Sequence, residues 1–339
     1  MILQDGHSTK YLEDYKNGLI PFGKGLGCDL DEYLVWKDSQ LNIILGHDNV
    51  GKTYFIEWYF LANAINNDLS ATIFMDENYA GKVMRDMIQI YTGKNFKDLS
   101  YKEIRRAEMK IEHYIKFVDN SRRYTPDHIL EVFAKSDTNN YLLDPFNALD
   151  MEMTYSANYD VLNKFKMFTK TGKTMYINAH PSSASGRRNA VYPKGHNYAG
   201  HVMPPLKSDI EGGKPFANKA DDFITIHRMP QHPDLWMFTM LEVVKIKDAD
   251  TGGRCTKLDV PVLLDYNFGL GFKINGVDPI KRPNMIPIQQ QIEMQDRKEK
   301  QDRIKIQQAY SNVNLTPDKS DFDTELTDYE RNKPDDVPF

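Results

Sequence analysis

A chain of 339 residues, 40% hydrophobic and 27% charged, can bury a sizeable core and falls in the range of one large domain or two small ones. Two cysteines, Cys28 and Cys255, exclude a disulfide framework and a four-cysteine zinc ribbon, and point to a reducing, cytoplasmic setting. No apolar run reaches the length of a bilayer crossing, the opening MILQDGHSTKYLEDYKNG is too polar for a signal peptide, and the net charge of −5 is the charge of residues 316–339 alone.

Residues 1–39 form an N-terminal segment ahead of the first apolar run. From there strands and helices alternate. Strands are expected at 41–45 (LNIIL), 71–75 (ATIFM), 116–118, 140–144 (NYLLD) and 174–179 (TMYINA), and helices at 52–65, 79–91, 100–114, 126–136 and 156–170. The fourth helix has a chemical start, with Thr125 as N-cap and Pro126 in the first helical position. This alternation predicts an α/β fold with a mainly parallel sheet flanked by helices. After residue 220 the runs DDFITIHR, LWMFTMLEVVKIKD, KLDVPVLLDY and GLGFKI read as strands joined by Gly- and Asp-rich turns, expected to extend the sheet antiparallel at one edge. The core domain is thus placed at 40–280. A polar helix is expected at 281–310, and a tail too polar to fold alone at 311–339. There is no internal repeat.

Between the first strand and first helix, Gly46-His47-Asp48-Asn49-Val50-Gly51-Lys52-Thr53 fits G-x-x-x-x-G-K-[ST]. The glycines let backbone N–H groups wrap phosphates, Lys52 reaches the terminal phosphates of ATP or another nucleoside triphosphate, and Thr53 offers a hydroxyl to Mg²⁺. Such a loop needs an acid for the metal, which Asp144 supplies at the end of NYLLD. Hydrolysis needs a base that orients water. Glu77 in FMDENY stands just past the second strand, with Asp76 beside it as a competitor.

Between residues 161 and 208 there is no Asp or Glu, while lysines and arginines recur. Its second half carries Arg187, Arg188, Tyr192, Lys194 and Tyr198. Cations that neutralise phosphates, interleaved with rings that stack on bases, suit single-stranded DNA.

The order of these features resembles the superfamily-four replicative helicases, the DnaB, Twinkle and phage primase-helicase group, over about residues 17–275. The carrying stretches are NGLIPFGKGLGCDLDEYLVWKDSQLNIILGHDNVGKT, FMDENY, LLDPFNALD and MYINAHPSS. The resemblance implies a RecA-like core and a ring, hexameric in that family's manner, with Glu77 catalytic, Asp144 on the metal and His180 sensing the terminal phosphate. It places the DNA-contacting loop in the segment after His180. EVVKIKDADTGGR is similar to the motif that reaches into the neighbouring subunit's nucleotide site, which puts that role on Lys245 and Lys247. The family's arginine is Lys247 here, so Arg254 and Arg228 stand as substitutes. The family's helical or primase domain has no counterpart ahead of the phosphate loop, so a primase is expected as a separate chain and the minimal layout suggests a phage.

The ending Asp335-Asp336-Val337-Pro338-Phe339 resembles the tip of bacterial single-stranded-DNA-binding proteins and implies docking onto replication partners. Three rival readings stand beside the helicase: a RecA- or KaiC-like DNA-dependent ATPase without unwinding, a viral packaging ATPase, and a non-hydrolysing DNA-binding scaffold.

Overall fold

The computed structural model describes residues 6, 8–182 and 190–282. The expected polar helix and tail, with Asp335, Asp336, Val337, Pro338 and Phe339, lie outside the described residues, as do Arg187 and Arg188. In chain order the elements are α1 (Thr9–Lys16), β1 (Leu41–Leu45), α2 (Lys52–Asn67), β2 (Ala71–Met75), α3 (Ala80–Thr92), α4 (Tyr101–Tyr114) and β3 (Ile115–Phe117). Next come α5 (Pro126–Lys135), β4 (Asn140–Asp144), α6 (Tyr155–Thr169), β5 (Thr174–Ala179), α7 (Lys214–Lys219), β6 (Phe223–Arg228), β7 (Phe238–Lys245), β8 (Val262–Tyr266) and β9 (Phe272–Lys273).

One nine-stranded sheet has the order β3-β2-β4-β5-β1-β6-β7-β8-β9. Both faces of its centre are covered, so side chains of alternate residues enter different cores. Ile44, Leu142 and Tyr176 join α2, α3 and α4 on one face. Leu41, Ile43, Leu45, Tyr141, Leu143, Met175 and Ile177 join α5 and α6 on the other. Helix starts follow the side chains available. Ser100 accepts from the Glu103 N–H while Glu103 reaches back to the Ser100 N–H, and the Thr125 hydroxyl accepts from the His128 N–H at 3.3 Å.

Two features differ from the sequence reading. β6 runs parallel to β1, Ile43 opposite Phe223, and the antiparallel part begins only at β7. The apolar run FITI is buried on both faces and so fits the middle of the sheet, where a parallel neighbour is available. The N-terminal segment is also no mere lead-in. Leu26, Leu30, Leu34 and Trp36 belong to the main core, and the Trp36 indole N–H donates to Asn140 Oδ1 at 2.9 Å. Among the described residues no helix is long and apolar enough to cross a membrane.

Candidate nucleotide site

The C-terminal ends of β1, β2, β4, β5 and β6 meet at one edge of the sheet, where an open α/β sheet leaves its crevice. A cavity of about 520 Å³ opens there, lined by Asp48, Asn49, Gly51, Lys52, Thr53, Glu57, Glu77 and His180 among others. Asn49 (φ 62°) and Gly51 (φ 86°) hold the left-handed backbone that turns the loop into the N-terminus of α2. Gly46 is needed for a different reason. A Cβ there would sit 2.5 Å from the Ile226 carbonyl oxygen of β6. Val50 faces away from the cavity's chemistry and packs into the core.

Lys52 is buried, and its ammonium donates to the carbonyls of Gly46 and His47, both at 2.8 Å. Burial lowers its pKa, while the charges of Asp144, Asp48 and Glu77 oppose that shift. The Thr53 hydroxyl donates to Asp144 Oδ2 at 3.0 Å, and Asn178 Nδ2 donates to Asp144 Oδ1 at 2.6 Å. Burial pushes Asp144 up to about 6 against those two hydrogen bonds. A hydroxyl and a carboxylate, both hard oxygens and in contact, suit Mg²⁺ with its retained waters. The loop and helix N-terminus suit the phosphates. The residues present therefore fit both groups.

His180 Nδ1 lies 3.1 Å from Asp48 Oδ1 and 3.5 Å from Lys52 Nζ. A ring N–H toward the carboxylate satisfies the first contact, and the Lys52 ammonium already has its two carbonyls. Glu77 lines the cavity, whereas Asp76 turns its N–H to the Asp144 carbonyl at 2.9 Å and is not part of the lining.

The remaining expected residues lie in varied surroundings. Arg228 lines this chain's own cavity, its guanidinium 5.7 Å from the Tyr266 ring centre. Arg254 pairs with Glu32 and lies over Tyr33. Lys245 donates to the carbonyls of Ala217 and Ala220 at 2.9 and 2.6 Å, closing the end of α7, so its ammonium is used within the fold. Lys247 is exposed, pairs with Asp221 at 3.1 Å, and sits at the sheet edge opposite the cavity. It lines a second cavity of about 680 Å³ with Lys24, Lys166 and Lys170.

In the basic loop, Lys194 is exposed, but Tyr192 is only 3% exposed. Its ring stacks on His196 at 4.4 Å and packs with Met229 and Met240, so it is a core residue and its face is not open to a base. Tyr198 is half-buried, edge-on to Tyr192 at 5.3 Å. Cation-and-ring composition alone does not separate a stacking platform from a small local core.

Sequence reasoning missed Asn178 and Glu57. Asn178 shares the sheet face of Tyr176, and a polar residue at that buried position beside a motif is a usable signal. Glu57 interrupts the apolar run YFIEWYF, which is another.

No family model and no curated sequence matches the chain. Solved structures do. The ATPase domain of one helicase superposes with a TM-score of 0.63 at 14% identity, covering 79% of this chain and 99% of that one. A DnaB-like replicative helicase, solved in a study of its interactions with primase, gives 0.61 at 13% identity, covering 80% and 67%. At such identities the likeness concerns the fold. The chain has the RecA-like fold of replicative-helicase ATPase domains, a mostly parallel sheet with antiparallel strands added at its C-terminal edge.

Proposed function

We propose that the protein is a ring-forming ATPase that translocates on single-stranded DNA and unwinds duplex, a replicative helicase motor. The observation that carries this reading is the gathering of Lys52, Thr53, Glu77, Asn178 and His180 around one cavity, with Asp144 held beneath Thr53, on the fold of helicase ATPase domains. ATP enters with its phosphates on the loop between Gly46 and Thr53. Lys52 then exchanges its backbone carbonyls for phosphate oxygens, a local swing. The Thr53 hydroxyl, and Asp144 through water, would hold Mg²⁺, which would neutralise phosphate charge. Glu77 orients the attacking water and takes its proton. His180 senses the terminal phosphate by exchanging its Asp48 contact.

Lys245 or Lys247 acts in trans in this reading, Lys247 being the more exposed of the two at the far end of the sheet. A head-to-tail ring, hexameric in our reading, brings that edge to the neighbour's cavity. DNA contact falls to the segment after His180, through Arg187, Arg188 and Lys194. The DDVPF tip is proposed to dock onto replication partners, a separate primase among them. The setting is cytoplasmic, in the host cell if the chain is phage-encoded.

The test is unwinding of a forked duplex with ATP and Mg²⁺, comparing wild type with Lys52→Ala. Wild type should separate the strands and the variant should not. DNA-stimulated hydrolysis without unwinding would move the reading to a RecA- or KaiC-like ATPase, and electron microscopy with and without DNA would then distinguish filaments from closed rings.

A further inference from the structure

The cavity contains an acid that the roles above leave unused. Glu57 lies in α2, four residues after Thr53 and so on the same helix face, and is 4% exposed. It stands in an apolar stretch between Ile56 and Trp58, where a carboxylate is costly unless something holds it. Among the described residues it makes no hydrogen bond and no ion pair. The nearby cations are engaged elsewhere: Lys82 donates to Asn78 Oδ1 at 2.7 Å, and Arg85 to Asp86 at 2.7 Å. The carboxylate belongs to the lining of the nucleotide cavity.

Direction narrows what it meets. Helical side chains lean toward the N-terminus of their own helix, over the preceding turn. For Glu57 that turn carries Thr53, whose hydroxyl touches Asp144. Burial raises the Glu57 pKa well above the carboxylate range, and the charges of Asp86 and Asp144 add to it. An acid placed beside two others and a hydroxyl calls for a cation, not for a phosphate. Among the described residues no group of three or more His, Cys, Asp or Glu is placed to hold a metal directly. A contact between Glu57 and an ion held at Thr53 would therefore run through water, as Mg²⁺ with its retained hydration shell allows.

We propose that Glu57 is a positioning residue for the nucleotide-bound Mg²⁺, accepting hydrogen bonds from water on the ion that Thr53 and Asp144 hold. This rests on the nucleotide reading of the cavity. Such outer partners usually change metal affinity by roughly tenfold to a hundredfold.

The experiment uses the full chain, with Mn²⁺ as spectroscopic probe and adenylyl imidodiphosphate as nucleotide. Mn²⁺ binding to the nucleotide complex is titrated by electron paramagnetic resonance for wild type, Glu57→Gln and Glu57→Asp. Metal-free nucleotide binding is measured in parallel. Glu57→Gln should weaken Mn²⁺ by roughly tenfold or more, leave metal-free nucleotide affinity within about twofold, and raise the melting temperature of the nucleotide-free protein. Glu57→Asp, which keeps the carboxylate, should recover part of the metal affinity. Unchanged Mn²⁺ affinity in Glu57→Gln would overturn the proposal, as would an equal loss of metal-free nucleotide binding. Wild type that binds no nucleotide at all would instead remove the reading of the phosphate loop.

Discussion

The Nε2–H of His227 donates to the carbonyl oxygen of Val202 at 2.8 Å, tying the end of β6 to the segment that follows the basic loop. On its other side the ring meets His47 of the phosphate loop, edge to face at 6.3 Å. A buried histidine thus stands between the loop proposed to hold nucleotide and the loop proposed to hold DNA. Burial, helped by His47, pushes its pKa down to about 4 against the pull of the Val202 carbonyl. Between pH 6.5 and 4 the unfolded chain takes up a proton that the folded chain refuses, so stability falls as pH drops through that window. The effect is on the order of 3 kcal/mol by pH 4. Glu242, raised to about 7 by burial and Asp259, works in the opposite sense. The measurement is therefore a difference: urea unfolding at about pH 7 and about pH 4.5 should show a steeper acid loss for wild type than for His227→Gln. Equal losses would count against it.

Glu77→Gln should keep Mg²⁺-nucleotide binding and lower ATP turnover by roughly a hundredfold or more, the usual scale for losing a general base. Steady-state hydrolysis with fluorescent nucleotide binding checks both halves. Undiminished hydrolysis would move the base elsewhere.

Asn178→Ala removes a hydrogen bond to the buried carboxylate of Asp144. The mutation should cost about 1–3 kcal/mol of stability by leaving that oxygen unpaired. Added Mg²⁺ and nucleotide should narrow the deficit in melting temperature, because the ion supplies the missing positive field. A deficit that widens would contradict this.

Lys37 and Asp222 pair at 3.0 Å, both buried beneath the N-terminal end of β1. Asp222→Ala leaves the ammonium without its carboxylate, on the Asp248 carbonyl at 3.3 Å, and should destabilise by about 3–5 kcal/mol. The double change to Lys37→Met and Asp222→Leu should recover most of it. Thermal melts of wild type and the two variants suffice, and a double variant as weak as the single would show that the pair does more than neutralise itself.

Lys247→Ala and Lys52→Ala should each abolish hydrolysis alone, yet mixing the two chains should restore part of it. In a mixed ring some interfaces join an intact phosphate loop to an intact Lys247. No recovery on mixing would exclude Lys247 from a neighbour's site.

Strands β1, β2, β4 and β5 were legible because each is an apolar run bounded by a helix or a turn. The phosphate loop was legible because its chemistry is local, eight consecutive residues. What escaped was non-local. Whether β6 pairs parallel or antiparallel depends on its partner and not on its own sequence. Arg228 looks the same in sequence whether it serves its own cavity or a neighbour's. Tyr192 carries the composition of a base platform, and only Met229, just past β6, Met240 of β7 and the stacked His196 show that its ring is already covered.

β6 and β7 form one antiparallel ladder, with Arg228 opposite Thr239 at the cavity end and Phe223 opposite Lys245 two residues before Lys247. A ladder of hydrogen bonds bends and twists, but it does not lengthen. A displacement of Arg228 would reach the far end through this ladder as a tilt, re-aimed where the register shifts between Phe223 and Ile224, just short of Lys245. A neighbour touched by Lys247 would feel an angle.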